Sequence, residues 1–114
     1  GLPDSHELLH EEVFGPICAI VAASSTEDAL RRANAVRYGL AAAVYTSDLT
    51  AALTATRELR AGQIKVNAPT TGVDFYLPFG GEQDSSYGQR EQGKAAQEFY
   101  TSLHTVSVAP SVTG

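Results

Sequence analysis

The sequence predicts an α/β fold, a parallel open sheet with flanking helices. Short apolar runs alternate with longer helical patterns, polar capping residues stand before the first two helical patterns, and the links between elements are short. The order is strand, helix, strand, helix, strand. With links of this length the economical arrangement is a set of parallel strands joined by right-handed crossovers.

Residues 17–23 are apolar and partly β-branched, bounded by Pro16 and the cluster Ser24, Ser25 and Thr26, and read as a buried strand. Cys18 lies inside it. A cysteine there is expected to be a small core residue with a raised pKa, not a nucleophile. Ser24 to Glu27 fits the Ser-x-x-Glu capping box, so a helix follows, with Leu30 and Ala33 on one side and Gly39 as its left-handed cap. Residues 40–46 carry alanines that favour helix. Boxed between Gly39 and Ser47-Asp48, the stretch is too short for one and reads as a strand. Asp48 or Ser47 caps a second helix, in which Leu49, Ala52, Leu53, Thr56 and Leu59 recur at helical spacing and which Gly62 ends. Residues 63–67 form the third strand, Ile64 and Val66 on one side and Lys65 on the other.

The connection over residues 68–92 breaks this rhythm. A loop of that length inside a small domain is usually functional, and it leaves from the carboxyl end of a parallel strand, where open α/β sheets bind ligands. Phe75, Tyr76 and Phe79 make it more apolar than a solvated loop. Its glycines lack the spacing of a dinucleotide or phosphate-binding fingerprint. Residues 93–102 read as a last helix with Ala95, Ala96, Phe99 and Leu103 inward. Residues 105–108 then alternate as a strand, Val106 and Val108 on one face. A strand left over at a chain end pairs readily with another subunit.

Composition excludes several classes. The 114 residues carry 8 Lys+Arg against 13 Asp+Glu, a net charge of −5, with no basic cluster longer than Arg31-Arg32, so nucleic acid is not an expected partner. A single cysteine rules out an internal disulfide and fits a reducing compartment, so a cytoplasmic location is expected. The longest wholly apolar run, residues 17–23, is too short to span a bilayer, and no basic leader precedes an apolar stretch; no membrane association is expected.

Two stretches carry candidate chemistry. In Glu11-Glu12-Val13-Phe14-Gly15-Pro16, Glu12 and Phe14 point to the same side of an extended backbone and can address one ligand together. His6-Glu7-Leu8-Leu9-His10 matches the zinc-peptidase pattern His-Glu-x-x-His. On a helix the two imidazoles would share a face, with Glu7 placed to activate a metal-bound water. Gly15-Pro16 blocks such a helix soon after, and nothing singles out a third ligand from candidates such as Glu27 or Glu58. The competing reading is a polar lead-in with a chance match and no metal.

Taken together, Glu12-Val13-Phe14-Gly15-Pro16, Ala33-Asn34, Tyr38-Gly39-Leu40, Ala61-Gly62, Val66-Asn67, Pro78-Phe79-Gly80-Gly81, Arg90-Glu91-x-Gly93, Phe99-Tyr100 and Thr105-Val106 resemble the C-terminal part of an NAD(P)-dependent aldehyde dehydrogenase. The resemblance covers essentially the whole chain. Gly72-Val73-Asp74 and residues 85–93 further resemble the α-ketoglutaric semialdehyde dehydrogenase branch. The resemblance implies an oxidoreductase that converts an aldehyde to an acid with NAD or NADP. It implies that residues 1–103 are the end of the catalytic domain and residues 104–114 an oligomerisation strand and tail. In that family a cysteine attacks the aldehyde and a glutamate activates water; both are expected upstream of this chain, so no catalytic residue is assigned in it. Glu12 is similar in position to the glutamate that binds the nicotinamide ribose, and Phe14 to the aromatic beside the nicotinamide. Phe79, with Thr71, Val73 and Asp74, would line the aldehyde entrance, and Thr105 to Val108 would join subunits of a homo-oligomer. Two departures stand out: Gln83 occupies a position where the family often has Lys, and the stretch from Gly81 to Arg90 is one residue longer than the common pattern. The alternatives in other classes are a small zinc metallopeptidase through His6 and His10, and a non-catalytic interaction module.

Overall fold

Polar caps decide where the helices begin. In the computed structural model, which describes residues 1–111, Ser25 caps helix α1 (Thr26–Ala33) by accepting from the Asp28 N–H at 3.1 Å. Asp28 in turn accepts from the Ser24 N–H at 3.1 Å, so the cap forms one residue later than the box expected at Ser24 and Glu27, and its return bond goes to the residue before the cap. The Ser24 amide, then Arg31 and Arg32, hold the Asp28 carboxyl far below the ordinary carboxylate range. Asp48 caps helix α2 (Leu49–Glu58) through the Thr50 N–H at 2.7 Å. Each cap contributes about 1 kcal/mol.

The elements run α1, β1 (Tyr38–Gly39), β2 (Ala41–Val44), α2, β3 (Gln63–Val66), β4 (Glu82–Gln83) and α3 (Ala95–Tyr100). The expected α/β open architecture forms, with one parallel and one antiparallel pairing. Strands β2 and β3 pair in parallel on either side of α2, from Ala41 against Gln63 to Val44 against Val66. Asn67 closes that pair: at φ 52° its side-chain amide accepts from the Thr46 N–H at 2.9 Å and donates to the Thr46 carbonyl at 3.0 Å. Strands β1 and β4 pair antiparallel, Tyr38 with Gln83 and Gly39 with Glu82. The long connection is therefore partly ordered by pairing, since Phe79 and Glu91 also exchange backbone hydrogen bonds at 2.7 and 2.8 Å.

Neither glycine expected to end a helix does so. Helix α1 stops at Ala33 with Asn34 as its cap, and Gly39 lies buried in β1. Helix α2 stops at Glu58, and Gly62 instead donates to the Gly39 carbonyl at 2.9 Å while lying against Gly80. These glycines are there for close backbone approach, which any side chain would block.

The buried apolar core consists of Leu30, Ala52, Ala55 and Ala61. Ala52 and Ala55 form the inward face of α2, whereas Leu49 and Leu53 are exposed. The strand expected at residues 17–23 does not form, and Ile17, Ile20 and Val21 are exposed together with Cys18. A strand needs a hydrogen-bonding neighbour. Among the described residues, none pairs with this segment. For the same reason residues 105–108 have no strand structure, and Val106 and Val108 face solvent. Phe99 and Leu103, expected inward, are exposed as well. The radius of gyration is 20.8 Å, against about 13 Å for a compact chain of this length. The accessible surface of 9104 Å² exceeds that of a compact chain of this mass by about 3,000 Å². Much apolar surface thus lacks a partner. Among the described residues no helix is long and apolar enough to cross a membrane.

Candidate functional site

The segment that carries Glu12 and Phe14 has no secondary structure, so its position depends on side-chain anchors. Glu11 provides one: its Oε2 accepts from the Tyr38 hydroxyl at 2.9 Å and pairs with the Arg37 guanidinium at 3.2 Å. Arg37 lies 5.0 Å from the centre of the Tyr38 ring and reaches Asp84 at 3.4 Å. One guanidinium therefore ties the N-terminal segment, β1 and the loop after β4 together. Asn34 supplies a neighbouring clamp, donating to the Glu58 carbonyl at 2.7 Å and accepting from the Arg60 N–H at 2.9 Å.

The result is a cavity of about 650 Å³ whose wall includes Glu12, Phe14, Asn34, Tyr38, Arg60 and Asp84. Glu12 and Phe14 meet at it, as alternation on an extended backbone predicts. The Glu12 carboxylate has no hydrogen-bond or ion-pair partner among the described residues, and Phe14 is 91% exposed. A free carboxylate beside an open ring can bind a polar group with two donors that is joined to a flat apolar one.

The loop residues gather less completely. Val73 and Asp74 line a second hollow of about 480 Å³, together with Lys65, Gly72 and Arg90. Thr71 is not in its lining, but the Lys65 ammonium donates to the Thr71 carbonyl at 3.0 Å and also to the Gly72 carbonyl. Asp74 accepts from the Tyr76 hydroxyl at 3.0 Å, and that bond raises the phenol pKa above its ordinary value. Phe79 lies outside this hollow, half-buried, with its backbone paired to Glu91. The two hollows share no lining residue. Sequence reasoning missed Glu11, Arg37 and Lys65 as positioning groups; the charges are visible, but their partners lie far away in the chain.

The zinc-peptidase arrangement does not form. Residues Glu7–Leu9 make a single 3-10 turn, not an α-helix, and the His6 ring accepts from the Leu8 N–H at 3.2 Å. The His10 ring nitrogens stand 3.1 Å from the Ala35 carbonyl and 2.7 Å from the Asp4 carbonyl. With both nitrogens facing carbonyls, His10 has no lone pair aimed at a metal. Cys18, expected in the core, is exposed, and its thiol donates to the Ala19 carbonyl at 3.9 Å.

Comparison with known proteins gives a consistent kinship. The model of the aldehyde dehydrogenase family matches residues 1–106. An α-ketoglutaric semialdehyde dehydrogenase of Bacillus subtilis is 42% identical over 103 residues, covering 90% of this chain and 21% of that protein. A betaine aldehyde dehydrogenase of Cereibacter sphaeroides is 45% identical over 106 residues, covering 92% and 21%. Among solved structures, an NAD-dependent aldehyde dehydrogenase from Sinorhizobium meliloti superposes with a TM-score of 0.82 at 30% identity, covering 99% of this chain and 23% of that one. The Mycobacterium tuberculosis aldehyde dehydrogenase complexed with NAD+ gives 0.78 at 32% identity, covering 89% and 20%. The chain thus spans about a fifth of the length of the relatives it matches. Since sequence and backbone agree over nearly all of these residues, the chain belongs to the aldehyde dehydrogenase family.

Proposed function

We propose that residues 1–103 are the end of the catalytic domain of an NAD(P)-dependent aldehyde dehydrogenase and that residues 104–114 are its oligomerisation strand and tail. The observation that carries this reading is the cavity shared by Glu12 and Phe14. The unpaired Glu12 carboxylate suits the two hydroxyls of a nicotinamide ribose, since a carboxylate accepts from both members of a vicinal diol. The open Phe14 ring suits the flat nicotinamide, which it would orient and shield from water on one side. A nicotinamide coenzyme held by Glu12 and Phe14 would supply the hydride-acceptor chemistry of aldehyde oxidation.

The nucleophilic cysteine and the general-base glutamate would come from residues outside these 114. Among the described residues the Cys18 thiol is hydrogen-bonded to no base, its partner being the Ala19 carbonyl. Phe79, Thr71, Val73 and Asp74 are assigned to the aldehyde entrance, and Lys65 would hold the Thr71–Gly72 backbone in place. For the substrate we favour a semialdehyde, supported by the likeness of the loop to that branch and by the Bacillus subtilis relative. Either NAD or NADP fits, because Glu12 and Phe14 address only the nicotinamide half.

The 114-residue chain by itself is expected to show no NAD(P)-dependent aldehyde oxidation even at high protein concentration, whereas an enzyme of full family length containing it turns over. Activity of the isolated chain that survives repurification overturns the reading. Removing the residues after Leu103 from the full-length enzyme is expected to lower its oligomeric state in size-exclusion measurements. An unchanged state would argue against subunit pairing through Val106 and Val108, and with it against the assignment of residues 104–114.

A further inference from the structure

We propose that His10 is a positioning residue for Glu12 and Phe14, clipping the segment before them to two backbone carbonyls when its ring is charged and releasing one of them when it is neutral. The proposal rests on the coenzyme reading above. Its geometric basis is that both ring nitrogens face carbonyl oxygens, Nδ1 at 3.1 Å from Ala35 and Nε2 at 2.7 Å from Asp4. A neutral imidazole has one N–H donor and the imidazolium has two. Only the charged ring therefore satisfies both carbonyls.

The two carbonyls belong to different parts of the chain. Asp4 lies in the N-terminal segment, and Ala35 lies just past the end of α1, so the ring ties that segment to the helix side of the larger cavity. His10 is followed at once by Glu11, whose pairing with Tyr38 and Arg37 makes a second tie. Glu12 and Phe14 come next. Without the first tie the stretch between Asp4 and Glu11 is held only at its ends, by the Asp4–Arg32 pair and by Glu11 with Arg37 and Tyr38, so the residues leading to Glu12 and Phe14 are fixed less firmly.

The charged surroundings favour the imidazolium. Around the ring stand the Asp4 and Glu11 carboxylates, with Arg31 and Arg32 across a small hollow of about 230 Å³; Glu7 lies in the turn just before it in the chain. Asp28 pairs with both arginines, and Asp4 pairs with Arg32 at 2.9 Å, which offsets their repulsion of the ring. The Asp4 carbonyl first, then the Ala35 carbonyl, raise the His10 pKa above its ordinary 6.5; desolvation opposes them, and the two carboxylates add to the rise. A raised folded-state pKa means that the clip is fully present below about 6.5 and is lost as pH rises through the folded value. The Glu11 tie contains no histidine.

The test is an NMR titration of the ¹⁵N-labelled full chain from about pH 5 to pH 9, following the ring nitrogens of His10 and the backbone amides of Glu12, Val13 and Phe14. The amides are expected to shift with pH along a single titration curve that shares the His10 midpoint. His10→Arg keeps two N–H donors at every pH in this range and is expected to hold the low-pH shifts while flattening the profile. Amides that do not follow His10 in the wild-type chain, or that remain pH-dependent in His10→Arg, overturn the clip. This readout needs no coenzyme. A flat amide profile in a protein whose coenzyme binding still depends on Glu12 rejects the clip alone, and loss of that dependence with a normal amide profile rejects the coenzyme reading alone.

Discussion

Gly62→Ala is expected to unfold the region joining β3 to the Gly80–Gly81 turn. A Cβ at position 62 would stand 1.9 Å from the Gly80 carbonyl oxygen and 2.7 Å from both the Gly80 carbonyl carbon and the Gly81 Cα. All three are backbone atoms, so no side chain can rotate away. Relief requires moving one backbone off the other, which also strains the Gly62 N–H bond to Gly39 and the β1–β4 pair beside it. Overpacking at a rigid contact costs on the order of 3 kcal/mol or more. With Leu30 as the largest side chain in the core, that loss is a large part of the stability a small domain has. The check is the urea midpoint. Gly72→Ala is the control: a Cβ there meets nothing within 4 Å and is opposed only by its φ of +77°, a cost of about 1 kcal/mol. Equal midpoints for the two variants would refute the packing role of Gly62.

Glu12→Gln is expected to weaken coenzyme binding by roughly 10- to 100-fold, the loss that follows when hydrogen bonds to a charged acceptor become bonds to a neutral one. Folding should be unaffected, because the Glu12 carboxylate makes no bond within the described chain that the substitution would remove. The measurement is coenzyme titration of the full-length enzyme by calorimetry, with thermal melting alongside. Unchanged affinity would overturn the role of Glu12; a drop in melting temperature matching the lost affinity would reassign it to structure. Glu11→Gln separates the two anchors from the ligand group. It removes the charge that pairs with Arg37, so it should loosen the segment, leaving the Glu12 carboxylate itself intact.

Much of this architecture was legible because it is local. A serine or aspartate ahead of a helical pattern satisfies amides within a few residues, and the caps formed at or within one residue of Ser24 and Asp48. The βαβ unit followed from element order and link length. The glycines were visible but misread. Gly39 and Gly62 looked like helix ends by local convention, and what they answer to is another backbone far along the chain. The site divided in the same way. Glu12 and Phe14 could be paired from alternation alone, whereas Phe79 was separated from Val73 and Asp74 by the bridge to Glu91, which no spacing rule announces.

By itself the sequence determined the α/β class, the helix starts, the parallel pair and the two side chains at the larger cavity, since each depends on contacts between near neighbours or on alternation along the backbone. The tertiary structure decided which apolar segments are covered. Residues 17–23 and 105–108 have the composition of strands yet form none here, because a strand is completed by hydrogen bonds from a neighbour and the described residues supply none. It also decided that the histidines of a metal-like motif are held by an amide and two carbonyls, a distribution of hydrogen bonds that depends on where Asp4 and Ala35 meet in space.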